Sequence, residues 1–326
     1  LKKALYAGGL VGLAVLIVLL VRTQWDLVLR ALESSGAHLL WLIPYRGAYF
    51  LLYAVGWWYL LRPADGGQRP GLGYLWWATT VREAVDRLLP VASVGGAVVG
   101  VRLLGWRAVA AAPAAASIIV EIVLTIIALY LFSALGLLLL MQAQVGGQVS
   151  ERLLLALLLA LPVPAVLVLI LRYGSVFARL QRWFGPLLGL GAASDAAASL
   201  DHELRATMRR GWTLCGVGGL QCVAMISASF EIWFALRLFG QPVGIGTAII
   251  LESLIQALRH LAFIVPAGLG VQEAGFVLFG HALGVGSEMA LAVSMAKRMR
   301  EVLCGVPPLL SWQWLEARRL RRMLRE

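Results

Sequence analysis

Apolar residues fall along the chain in blocks of about 20, the length at which one helix crosses the hydrocarbon core of a bilayer. Blocks at residues 4–21, 37–61, 113–140, 153–171, 212–239 and 289–315 predict six spanning helices. Between the first two, Trp25, Leu27, Val28, Ala31 and Leu32 stand opposite Asp26, Arg30 and Glu33 at helical spacing, the pattern of a short helix lying on the membrane surface. The first block follows Lys2 and Lys3 as a secretory signal would. Arg22-Thr23-Gln24-Trp25 offers no small-residue cleavage site, so a retained first span is expected.

Two further apolar regions, 72–104 and 245–283, are each interrupted near the middle by proline and glycine. The breaks read Leu88-Leu89-Pro90-Val91-Ala92-Ser93-Val94-Gly95-Gly96 and Ile264-Val265-Pro266-Ala267-Gly268-Leu269-Gly270. Proline removes a backbone donor and glycine lets the chain turn, so each region is expected to form two half-length helices that enter and leave the membrane on one side. A pair of full spans, or one kinked span, is the alternative. Pro90, Gly95, Gly96, Pro266, Gly268 and Gly270 are the expected turn residues.

Charge then orients the layout. With a cytoplasmic amino terminus and two returning hairpins, 17 Lys or Arg fall on the cytoplasmic side and three, Arg22, Arg30 and Arg152, on the other. Making either hairpin a net crossing moves the arginines of the 172–210 connecting segment, or the basic tail, to the wrong side. Both termini and the 172–210 segment are therefore expected in the cytoplasm. Matching features recur 176–180 residues apart: Arg82 and Arg259, Pro90 and Pro266, Gly105 and Gly284, Glu121 and Glu301. This predicts an inverted-topology repeat, residues 37–140 and 211–316, within a single integral membrane domain.

Composition agrees: 60% of the 326 residues are hydrophobic, 14% are charged and the mean hydropathy is +0.84. Such a chain is expected to be an all-α polytopic membrane protein. Its net charge of +11 sits in loops and flanks, where it answers anionic headgroups; no basic face with interleaved aromatics points to nucleic acid. Arginine outnumbers lysine 25 to 3 and asparagine is absent, a bias that points to a GC-rich, bacterial coding sequence; the inner (cytoplasmic) membrane is the expected location. Cys215, Cys222 and Cys304 have neither disulfide nor zinc spacing, and no nucleotide, zinc-protease or serine-hydrolase motif occurs. No cofactor or metal is expected.

The informative residues are charges inside apolar blocks, each costing a few kcal/mol or more unless paired or wet. They are Arg46, Arg82, Arg87, Arg237, Arg259, Lys297, Arg298 and Arg300 against Glu83, Asp86, Glu121, Glu231, Glu252, Glu273 and Glu301. The two sets nearly balance, which suits ion pairs around a polyol or zwitterionic head. Arg82 with Asp86, and Glu83 with Arg87, stand at i, i+4 just before Pro90. Lys297 to Glu301 form the densest cluster of the last block, and Pro307-Pro308 is expected to break that helix.

The run from Arg82 through Leu88-Leu89-Pro90-Val91-Ala92-Ser93-Val94-Gly95-Gly96 to Leu104 resembles a signature of the lysylphosphatidylglycerol synthase transmembrane family. Val265-Pro266-Ala267-Gly268-Leu269-Gly270-Val271-Gln272-Glu273-Ala274-Gly275 resembles the family's second motif, with Lys297-Arg298-Met299-Arg300-Glu301 behind it. The wording is closest to the hopanoid-biosynthesis-associated branch, HpnL. Ala97 departs from the acidic residue usual after the paired glycines, and Asp86 from a frequent asparagine. The resemblance implies a lipid-translocating membrane domain, not an enzyme, that moves a polar-headed lipid, a hopanoid or a related one, between leaflets. The expected binding residues are Arg82, Asp86, Arg87, Glu121, Arg259, Gln272, Glu273, Lys297, Arg300 and Glu301. A membrane-embedded transferase acting on a lipid carrier, and a scaffold for lipid-biosynthesis enzymes, remain the alternatives.

Overall fold

The computed structural model describes residues 36–61, 69–89, 95–143, 154–155, 157–158, 162–175, 177–179, 194–262 and 270–323. The expected first span, the surface helix, Pro90, Pro266, Gly268 and residues 153, 156 and 159–161 of the 153–171 block lie outside the described residues. Every regular element among the described residues is helical. A 3-10 turn at Gly36–Trp41 leads into α1 (Leu42–Leu60), followed by α2 (Leu72–Leu88), α3 (Gly95–Gly105), α4 (Ala111–Gln142), α5 (Pro162–Tyr173) and α6 (Ser194–Met208). The chain continues through α7 (Gly211–Leu238), α8 (Ile245–Leu261), α9 (Val271–Ala282) and α10 (Ser287–Met323). By length and composition α4 and α7 are long and apolar enough to cross a membrane.

Both interrupted regions fold as pairs of helices. α2 stops two positions before Pro90, since a residue preceding proline is driven out of helical geometry. Asp86 Oδ1 accepts the Gly96 amide at 2.8 Å near the tip, and the Tyr74 hydroxyl donates to the Leu103 carbonyl at 2.6 Å near the open end. α3 thus runs back along α2. In the second pair Gly275 of α9 lies against Leu258 and Ile255 of α8. α9 then packs on α10, where Gln272 donates to the Ser294 hydroxyl at 3.2 Å and Gly280 abuts Ala290.

α10 corrects one expectation: it runs unbroken through Pro307 and Pro308. Two prolines remove two amide donors, yet helices with close neighbours tolerate the loss. Gly305 lets α10 approach Leu88 and Ala84 of α2, Leu309 is buried, and Ser311 donates to the Pro308 carbonyl at 2.7 Å.

The chain falls into two units, one of Leu1–Tyr49, Thr79–Gly96 and Ala228–Glu326, the other of Phe50–Ala78 and Ala97–Ser227. The first has a core of Ile232, Leu236, Leu251, Ile255, Phe276 and Val293. The second is built around Leu60, Val120, Leu171, Leu204, Met208 and Val217. There Trp57 donates to the Ser117 hydroxyl at 3.1 Å, and Arg210 closes the end of α1 by donating to the Tyr59 carbonyl at 3.1 Å and the Leu60 carbonyl at 3.3 Å.

Polarity is inverted relative to a water-soluble fold. Leu131, Leu138, Val163 and Leu278 are 51–66% exposed, whereas Arg46, Glu231, Glu252, Lys297, Arg298 and Arg300 are buried. Such a surface is matched to hydrocarbon, and such an interior persists only if the charges satisfy one another.

Candidate functional site

The first unit gathers seven charged side chains, buried or half-buried, into one connected network at the ends of α2, α8 and α9 and the middle of α10. Glu301 is the hub: Arg259 of α8 donates to Oε1 at 3.0 Å, Arg298 of α10 to Oε2 at 3.3 Å, and Arg87 of α2 approaches Oε1 to 3.9 Å. Helical spacing brings Arg298 and Glu301 together on α10, three residues apart. Only chain folding brings the other two.

From this hub the network spreads in two directions. Arg87 also donates to Glu83 at 3.0 Å, and Glu83 accepts from Arg46 of α1 at 3.1 Å, so the expected Glu83–Arg87 pair forms and gains a third member. On the other side Arg298 donates to Glu273 at 3.0 Å. Arg259 donates to Gln272, whose amide reaches Ser294. Four arginines and three glutamates are thereby linked, an excess of one positive charge.

Two glycines shape the polar ends of the hairpins. Gly270 has φ +79°, a conformation costly for other residues, and its amide donates to Glu273 Oε2 at 2.8 Å. Glu273 therefore caps α9 with one oxygen and holds Arg298 with the other. At Gly96 a Cβ atom would press into the Asp86 carboxylate and come within 2.6 Å of the Arg82 carbonyl. Hydrogen at that position is what allows the start of α3 to sit on the end of α2.

Two neutral pairs lie elsewhere on α10. Lys297 donates to Glu252 of α8, which also accepts from Gln256 at 2.9 Å. Arg300 approaches Glu231 of α7 to 3.2 Å, and among the described residues neither Glu231 oxygen accepts a hydrogen bond.

Of the ten expected binding residues, Arg87, Arg259, Gln272, Glu273 and Glu301 are brought into the network. Lys297 and Arg300 are placed in the two side pairs, and Asp86 caps α3 with Arg82 one turn behind it. Glu121 belongs to the second unit, buried on α4, where its backbone carbonyl accepts from Gln221 at 3.3 Å. Arg46, Glu83 and Arg298 join the network although they were not among the expected binding residues. Each carried the same signal, a charge inside an apolar block. Among the described residues no three His, Cys, Asp or Glu side chains gather as a metal would require.

The model of the family described as the lysylphosphatidylglycerol synthase TM region matches residues 6–306. The chain belongs to this family. Nothing among curated proteins or solved structures matches it. Membership makes the chain a helical membrane protein linked to lipid metabolism or transport, and the network of the first unit joins both stretches that resemble the family's motifs: Arg87 comes from the earlier stretch, Gln272 and Glu273 from the later.

Proposed function

We propose that the protein is a lipid flippase, moving a polar-headed lipid between leaflets without altering it chemically. The observation that carries this reading is the network of buried and half-buried charges formed by Arg46, Glu83, Arg87, Arg259, Glu273, Arg298 and Glu301, in a chain that exposes many large apolar side chains. A lipid head crosses hydrocarbon slowly because it loses its hydrogen bonds to water. Arginine and carboxylate groups at the ends of broken helices can replace those bonds while the tail stays in the bilayer. The accompanying topology has six crossings, two re-entrant hairpins related by inversion, both termini in the cytoplasm and the inner membrane as the location. The preferred head is a polyol or zwitterion, as a hopanoid-type lipid carries, with lipid-biosynthesis enzymes as suppliers.

Reconstitution in liposomes tests the reading, with marked lipids of neutral, zwitterionic and anionic head in one leaflet. Faster appearance in the other leaflet with unchanged lipid mass is the expected result. A new lipid product formed with a cytoplasmic donor would establish the transferase. Neither movement nor product would leave the scaffold.

A further inference from the structure

We propose that Arg87 is the seat of an anionic group, and that the lipid head carries a phosphodiester which docks on the two terminal nitrogens of that guanidinium. The inference deepens the flippase reading and rests on it. It selects between the two heads that reading favours: a zwitterion brings such a group, a bare polyol does not. Charge balance is the first observation. The network links four arginines to three glutamates, and the other acids inside apolar blocks of the first unit already face a base or a cap. Glu252 holds Lys297, Glu231 faces Arg300, and Asp86 caps α3 with Arg82 one turn behind it. The breaks between α2 and α3 and between α8 and α9 contain no ionisable residue, so they supply no fourth acid. An unbalanced charge among apolar helices is costly, and one negative group on the substrate closes the balance.

Unused donors place that group on Arg87. A guanidinium has five N–H donors in a planar fork. Arg259 spends Nη1 on Gln272 and Glu301, and Arg298 spends Nη1 on Glu301 and Nη2 on Glu273. Arg87 spends only its Nε, on Glu83 at 3.0 Å. Its Nη1 is 3.9 Å from Glu301, beyond hydrogen-bond length, and among the described residues neither terminal nitrogen donates a hydrogen bond. Two parallel N–H groups match two oxygens of a phosphodiester, the geometry in which arginine binds such groups best.

Exposure makes the same residue reachable. The Arg87 side chain is 24% exposed, whereas those of Arg46, Arg259 and Arg298 are each 8% exposed. A lipid head therefore meets Arg87 without entering the protein interior. The two acids beside it do not use up its charge. Glu83 also accepts from Arg46 at 3.1 Å, and Glu301 accepts from Arg259 and Arg298, so each has a second base to answer it. Docking is non-covalent: the phosphodiester accepts two hydrogen bonds and leaves the head chemically unchanged.

Two measurements on the full-length protein test the proposal. The first is binding in an uncharged detergent, comparing dihexanoyl phosphatidylcholine with dihexanoylglycerol bearing a glucosyl head, which has the same tails and no phosphate. The wild type should prefer the phosphodiester lipid. Arg87→Gln should weaken that lipid by about ten- to a hundredfold, the worth of hydrogen bonds to a charged group, and leave the glucosyl lipid unchanged. Arg87→Lys keeps the charge beside Glu83 and loses the fork, so its affinity should fall between the two. Equal weakening of both lipids would make Arg87 a structural residue and overturn the seat. Inorganic phosphate that displaces the lipid as well as phosphatidylcholine itself does would assign the seat to a free anion and overturn the docking of a lipid head. The second measurement is movement of both marked lipids in liposomes, where Arg87→Gln should lose the wild-type preference for phosphatidylcholine. Equal rates for the two lipids in the wild type would overturn the seat and leave the flippase standing. No movement of either lipid, with the binding preference intact, would sink the flippase reading while the anion seat survives.

Discussion

Glu301 Oε1 lies 3.0 Å from Arg259 Nη1, joining α10 to α8 across 42 positions of sequence. Both side chains are under 10% exposed, so the contact sits where a broken pair is costly. The same carboxylate holds Arg298 and neighbours Arg87, which places one acid among three bases from three helices.

Removing that acid should therefore do more than removing a surface charge. Glu301→Gln keeps the shape but leaves Arg259 without its carboxylate and Arg298 with Glu273 alone, a loss of about 3–5 kcal/mol for a broken buried pair. The expected outcome is a lower unfolding temperature in detergent together with slower lipid movement. Glu301→Asp, which keeps the charge on a shorter arm, should be milder in both measurements. Equal stability of the wild type and Glu301→Gln would show that Arg259 finds another partner and that Glu83 and Glu273 suffice for Arg87 and Arg298.

A double-mutant cycle isolates the hub contact. Arg259→Gln and Glu301→Gln should each destabilise, and the pair together by less than the sum, with a coupling of about 1–3 kcal/mol. Denaturation midpoints of the four proteins supply the numbers. Strict additivity would mean the two groups do not act on one another.

Gly96 should be sensitive to a single methyl group. Its Cβ would meet the Asp86 carboxylate and the Arg82 backbone, so Gly96→Ala should cost about 1–3 kcal/mol and Gly96→Val more. Gly105 at the far end of α3 has open space around it, which makes Gly105→Ala the matched control. Thermal unfolding and lipid movement should fall together for Gly96 variants and stay near wild type for the control.

Arg210 offers the opposite case, a structural contact in the second unit. Its bonds to the Tyr59 and Leu60 carbonyls satisfy the end of α1, and Arg210→Ala should lower stability by about 1 kcal/mol. Lipid movement by the folded fraction should be unchanged. A specific loss of transport at normal stability would assign Arg210 a role beyond closing the helix.

Topology has its own test. In a cysteine-free background, single cysteines at Gly66 and Arg107 should label from the cytoplasm and those at Gly240 and Gly286 from outside. Opposite sides for Gly66 and Arg107 would make the first hairpin a crossing and end the inverted repeat.

Local chemistry made much of this protein legible from its sequence. Clustered proline and glycine between α2 and α3, and between α8 and α9, disfavour a continuous helix, so the division of each apolar region into two helices could be read directly. Glu83 with Arg87 followed from four-residue spacing, since one helical turn brings such side chains together. That charges buried in apolar blocks must find partners was equally determined, because hydrocarbon gives them no other choice. Which partners they find was decided by tertiary structure alone. Arg259 meets Glu301, Arg298 meets Glu273 and Arg46 meets Glu83 across separations of 42, 25 and 37 residues, which no helical period encodes. The same holds for Pro307 and Pro308. Their local effect is to break a helix, and the packing of α10 against its neighbours overrides it because surrounding contacts outweigh two missing backbone bonds.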